Sequence, residues 1–316
     1  MKKFNIINKQ LHEIIKKNIK AVLNAGIDFD ENSLTVSYNP SHEDNIETSE
    51  ETNPTMVFKY GNNVEVWSIF KRKSGRKDDG NPLVYALKGE GGWQFKTNKD
   101  KNAIYSQIGK ITAKFFSTHS SNVTIILPSE GHLNSMFASI IMSYNKGSIL
   151  IDDLMIKMDT DEVRRLILQK DSLFRKVYNT PGLFRRALAE FDMYANEMGD
   201  KYRTHLMHDK DIRTAVEKTI RINYPQVAKY FDSINNKDVL VIDDNIGRGS
   251  SIKVAIRELK NYYSPNSITF LTLFSERYDS NGSEIHRKKL NYNSLRRMMG
   301  NDQRPKKFLG NTKQKK

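Results

Sequence analysis

Val239-Leu240-Val241-Ile242-Asp243-Asp244-Asn245-Ile246-Gly247-Arg248-Gly249-Ser250-Ser251 is the stretch on which the reading of this chain turns. Val239 to Ile242 form an unbroken apolar run, the pattern of a parallel strand covered on both faces rather than of a half-exposed one. Two adjacent carboxylates end the run. Beyond the small-residue loop, Ile252, Ala255, Ile256 and Leu259 recur at three- and four-residue intervals, the apolar stripe of a helix. A buried strand, an acid pair, a glycine-rich loop and a helix therefore follow one another. In an open α/β sheet, ligands bind at such strand-to-helix turns. The unpaired N–H groups and positive dipole end of a helix start suit a phosphate.

Each residue type in the loop has a role in that chemistry. Gly247 and Gly249 allow a tight turn and close approach of backbone to ligand. Arg248 adds charge, and Ser250 and Ser251 add hydroxyl donors. The acids can accept hydrogen bonds from ribose hydroxyls or hold a divalent cation. Neither Gly-x-x-x-x-Gly-Lys-Ser/Thr nor Gly-x-Gly-x-x-Gly is present in the loop, which separates it from Walker and dinucleotide loops. The plainer alternative is a βα turn whose Asp and Ser merely cap a helix. That accounts for one such residue, not for two adjacent acids and two glycines.

The segment resembles the phosphoribosyl-pyrophosphate motif of type I phosphoribosyltransferases, and within them most closely glutamine amidophosphoribosyltransferases. The resemblance implies that Asp243 and Asp244 contact ribose hydroxyls and bound Mg²⁺, and that Ile246, Gly247, Arg248, Gly249, Ser250 and Ser251 wrap the 5′-phosphate. It departs from the family at Asn245, where an aliphatic or Ser residue is usual, and at Gly247, where purine enzymes often carry an Asp that works as a base. The catalytic base is thus unassigned.

A second strand–loop–helix unit lies upstream: Val123 to Leu127, then Pro128-Ser129-Glu130-Gly131-His132, then Leu133, Met136, Phe137, Ile140 and Ile141. The loop is similar to the pyrophosphate loop of the family, which implies pyrophosphate binding by Ser129, Glu130, Gly131 and His132. Backbone N–H groups of such a loop can form an anion nest; His132 is equally readable as a helix-start residue without a ligand. Competence-associated phosphoribosyltransferase-like proteins offer two looser matches, Leu87-Lys88 and Arg175 to Asn179. Lys157, Arg164 and Arg165 fall in the interval of the family's closing loop, or else are surface charge on a helix. The resemblance spans about residues 83 to 280 and is specific only at 239 to 251.

The 316 residues suffice for one large or two small domains, with 38% hydrophobic and 28% charged residues. No apolar h-region opens the chain and no stretch approaches a membrane span, so a cytoplasmic protein is expected. Zero cysteines exclude disulfides, cysteine–zinc sites and a cysteine nucleophile, including the one that glutamine amidophosphoribosyltransferases use. A net charge of +14 favours anionic partners, phosphorylated metabolites or nucleic acid. A homo-oligomer stays open.

Repeating helix, strand and loop with apolar strands predict a parallel α/β sheet of the Rossmann-like, type I phosphoribosyltransferase kind. Residues 1–55 are expected to hold an amphipathic helix (1–24) and an exposed acidic linker (41–53); residues 56–280 the core, with a helical hood at about 160–230 and Pro181 at a helix start; residues 281–316 a basic tail. Strands are expected at Met56–Tyr60, Val64–Phe70, Leu83–Lys88, Gly92–Lys96, 148–156 and Ile268–Phe274, and a helix at Asn102–Thr118. Lys71, Arg72, Lys73, Arg76 and Lys77 read as a basic turn, solvated or touching a phosphate backbone. From His286 the chain carries eleven Lys or Arg against one acid, a candidate nucleic-acid contact.

Two function classes follow. The first is a Mg²⁺-dependent phosphoribosyltransferase that displaces pyrophosphate from phosphoribosyl pyrophosphate with a nitrogen nucleophile. The alternative is a non-catalytic sensor of that metabolite or a nucleic-acid-binding regulator. A synthetase making the metabolite would need an ATP loop, and none is found.

Overall fold

The computed structural model describes residues 26–42, 45–73, 81–129, 131–169, 220–246 and 250–278, with a few positions between 185 and 193. The chain runs β1 (Gly26–Asp30), β2 (Thr35–Asn39), β3 (Ile46–Glu47), β4 (Thr55–Tyr60), β5 (Val64–Lys73), α1 (Asn81–Lys88), β6 (Gln94–Phe95), α2 (Asn98–Phe116), β7 (Val123–Ile126), α3 (Leu133–Tyr144) and β8 (Ile149–Ile151). It continues with β9 (Met155–Lys157), α4 (Thr160–Gln169), β10 (Ile220–Ile222), α5 (Tyr224–Val227), α6 (Phe231–Ile234), β11 (Asp238–Asn245), α7 (Ser250–Tyr262) and β12 (Ser267–Tyr278).

A seven-stranded mixed sheet forms the centre, in the order β3-β5-β12-β11-β7-β8, with β4 also on β5. β5, β12, β11, β7 and β8 are mutually parallel, and β3 and β4 close the β5 edge antiparallel. The fold is α/β with a mostly parallel sheet, as the apolar run at 239–242 demands. Val239 to Asp244 are all buried in β11. Leu240 and Ile242 pack in one cluster with Ile104 and Ile108 of α2 and Phe137 and Ile141 of α3. Val239 and Val241 pack in the other with Ala255 and Leu259 of α7 and Ile234 of α6. Alternate residues of one strand thus enter two cores, and the sheet is sandwiched between helices.

The connections position the site. From β7 the chain passes through α3 to β8, away from β11; from β11 it passes through α7 to β12, in the opposite direction. The β7/β11 boundary is therefore the place where strand order reverses, the position at which open α/β sheets bind their ligands.

Several expectations need correction. Leu83–Lys88 lies in a helix, not a strand: Pro82 starts it and Gly89, at φ +71°, ends it, the usual asymmetry of helix ends. The strand expected over Gly92–Lys96 shrinks to Gln94–Phe95, which joins β2. The expected linker at 41–53 carries the edge strand β3, and Thr48, Ser49 and Asn53 are buried. Asn53 Nδ2 donates to the Glu47 and Ser49 carbonyls, and Gln107 Nε2 donates to that of Thr48. The strand expected at 148–156 is two, β8 and β9, with Asp152 and Asp153 in the bend between them, so the two acids are not inside a strand. The helical pattern expected through 222 ends in a strand, β10, paired with β9. A small sheet of β1, β2 and β6 was not anticipated. Residues 1–24, Arg76, Lys77, Arg175–Asn179, Pro181 and the tail from His286 lie outside the described residues. Among the described residues no helix is long and apolar enough to cross a membrane.

Candidate functional site

β11 carries Asp243 and Asp244 to its carboxyl end, where they remain buried at 7% and 9% exposure. Two other segments converge on Asp244. Lys88, in the last turn of α1, places Nζ 2.6 Å from Asp244 Oδ2. Ser129, just beyond β7, donates its hydroxyl to the same oxygen at 2.8 Å. The Asp243 carboxylate accepts from the Asp244 backbone N–H at 2.9 Å. Asn134, in the first turn of α3, donates to the Leu127 carbonyl at 2.9 Å, and its amide also hydrogen-bonds the Asp243 carboxyl.

Burial disfavours the charge on Asp243, and the neighbouring Asp244 repels it. Together they push its carboxyl up to about 8, against the opposing pull of the Asp244 N–H, the Asn134 amide and Lys88. For Lys88, burial works to lower the ammonium, but Asp244 beside it outweighs that and the net shift is upward, with help from Glu90 and Asp243. Lys88 thus supplies countercharge to Asp244 in a site largely taken out of water.

The loop after β7 adjoins this pair. Gly131 adopts φ +73°, and a Cβ there would lie 3.6 Å from the Lys88 carbonyl oxygen. His132 is exposed at the start of α3, caps nothing with its side chain, and accepts from the Met136 N–H through its carbonyl at 2.9 Å. After β11, Ile246 is buried and its N–H bonds the Phe274 carbonyl at 3.0 Å, tying the mouth of the loop to β12. Ser250 and Ser251 open α7, with Ser251 half-buried. The twelve-residue helix α3 thus begins beside the acid pair, through Asn134, and the thirteen-residue helix α7 follows β11 in the chain. Gly247, Arg248, Gly249, Glu130 and the side chain of Ser250 lie outside the described residues.

Lys88, from one of the two looser sequence matches, is thus in direct contact with Asp244. Lys157, Arg164 and Arg165 are not gathered in this way. Lys157 lies in β9, paired with Ile220. Arg164 grips Asp192 at 2.7 and 3.1 Å, and Arg165 Nε donates to the Asp161 carbonyl at 3.4 Å.

The basic turn was misread. Lys71, Arg72 and Lys73 belong to β5, and Arg72 is 4% exposed. Its Nη1 donates to Asn245 Oδ1 at 3.3 Å and its Nη2 to Asn81 Oδ1 at 2.6 Å, while its backbone N–H bonds Ser275 Oγ at 3.0 Å. A guanidinium therefore links β5, α1 and the end of β11. The unusual Asn245 was the available signal, because a carboxamide at the end of a buried strand needs a partner.

The donor set bears on Mg²⁺. Among the described residues no cluster of three or more His, Asp or Glu gathers. Asp243 and Asp244 stand as a pair, and Mg²⁺ typically takes one or two carboxylates and completes its shell with substrate oxygens and water. The pair fits a cation shared with a bound ligand rather than a dedicated cage. No known family, curated protein or solved structure matches this chain.

Proposed function

We propose that this chain binds phosphoribosyl pyrophosphate with Mg²⁺ and transfers the phosphoribosyl group to a nitrogen nucleophile, as a phosphoribosyltransferase of type I character. The observation that carries this reading is the Ser129–Asp244 hydrogen bond. It joins the loop after β7 to the carboxyl end of β11 across 115 residues of sequence.

In this reading Asp243 and Asp244 accept hydrogen bonds from the ribose hydroxyls. The loop from Ile246 to Ser251, with the N–H groups opening α7, holds the 5′-phosphate. The loop from Ser129 to His132, with the start of α3, faces the pyrophosphate. The bond from the anomeric carbon to pyrophosphate breaks, a bond from nitrogen to that carbon forms, and the nitrogen gives up a proton. Charge builds on the departing pyrophosphate, so positioning and fixed dipoles supply most of the rate. Mg²⁺, held by the acid pair and the ligand, would neutralise the leaving group.

The test is pyrophosphate release from phosphoribosyl pyrophosphate and Mg²⁺ across a panel of nucleobases, amines and ammonia. Acceptor-dependent release that disappears in the Asp243→Asn, Asp244→Asn double variant is expected. Binding of the metabolite without release on any acceptor would replace the transferase by a sensor.

A further inference from the structure

Asp244 meets its countercharge from within the chain. Lys88 Nζ stands 2.6 Å from Asp244 Oδ2, and the two side chains are 17% and 12% exposed. We propose that Lys88 is a built-in counter-cation, which keeps the acid pair closed to free divalent metal and yields only to a metal arriving with an anionic, phosphorylated ligand.

The argument is one of exclusion and exchange. Mg²⁺ binds carboxylate oxygen at about 2.0–2.1 Å in a near-ideal octahedron. An ammonium already on the same oxygen would sit within contact distance of that metal, and two cations so close repel strongly in a partly dry site. Free metal must therefore expel the ammonium, and a half-buried ammonium without a partner is costly. A diphosphate-bearing ligand removes that obstacle. Ser129 of the loop after β7 and Lys88 Nζ share Asp244 Oδ2, so an ammonium leaving Asp244 meets an anion seated at that loop by rotation of its own side chain. Metal and ligand then bind interdependently, with Lys88 changing partners between them. The inference rests on the site of the proposed function but not on the transfer step.

Mn²⁺ alone, followed by the electron paramagnetic resonance of the unbound ion, tests it on the full chain. Wild type, Lys88→Met and Lys88→Gln are compared without ligand. Both variants should bind Mn²⁺ at least about tenfold tighter than wild type, the smaller end of what one adjacent opposite charge does to a carboxylate. Adding Asp244→Asn to Lys88→Met should abolish the gain. Equal Mn²⁺ affinity in wild type and both variants would overturn the proposal. If the variants prove less stable, the rise in melting temperature with Mn²⁺ reads the same linkage: a larger rise in the variants supports it, an equal rise refutes it. A parallel arm adds phosphoribosyl pyrophosphate to wild type. Failure there removes the proposed function, while the metal-only comparison still judges Lys88.

Discussion

Asp243 concentrates the physics of the site in one residue. Its carboxyl is pushed up to about 8 by burial and by Asp244, whereas an unfolded chain releases that proton near pH 4. Between those values the folded state holds a proton that the unfolded state has lost. The associated stability is fully present below about pH 4 and is lost as pH rises through about 8. Asp243→Asn removes this dependence. Urea unfolding at about pH 5 and pH 8 should show wild type losing more stability across the interval than the variant; equal losses would contradict the assignment. The acid pair was legible in the sequence because its signal is local, two acids at the end of an apolar run. Arg72 was not, because its partner Asn245 lies 173 residues away and such a contact leaves no mark on local periodicity.

At the scale of elements, β7, β11, β12, α2, α3 and α7 were readable from apolar pattern alone, because each strand sends alternate residues into both cores and each helix packs an apolar face against the sheet. α1 was not. Val84, Tyr85 and Leu87 have the β-prone character of a strand, and the decisive signals were at its ends, Pro82 and Gly89. Gly89 matters most, since it stops the helix one residue after Lys88. A Cβ there meets nothing within 4 Å, so Gly89→Ala is resisted only by its left-handed backbone. It should lower stability by about 1 kcal/mol, measured by denaturant unfolding. A neutral or stabilising result would mean that the turn relaxes and that Lys88 is not held by it. β8 and β9 were merged because apolar residues flank Asp152-Asp153 on both sides; the acid pair marks the bend, and the pairing of β9 with β10 shows where the chain goes next.

The whole molecule makes a site because two strand-to-helix loops flank one reversal of strand order. The parallel character of the sheet was legible in the sequence; its order was not. β5 lies between β12 and the antiparallel strands β3 and β4, and the sheet of β1, β2 and β6 packs on α1 and α2, arrangements that no single segment encodes. The convergence of α1, the loop after β7 and the end of β11 on Asp244 is likewise a property of the assembled fold. It is also the basis for the claim that this site receives a phosphoribosyl ligand. Isothermal titration of the full chain with phosphoribosyl pyrophosphate, with and without Mg²⁺, tests that claim most directly. Saturable heat that requires Mg²⁺ and is lost in the Asp243→Asn, Asp244→Asn double variant is the expected result. No heat from wild type, or the same heat from wild type and double variant, would contradict it.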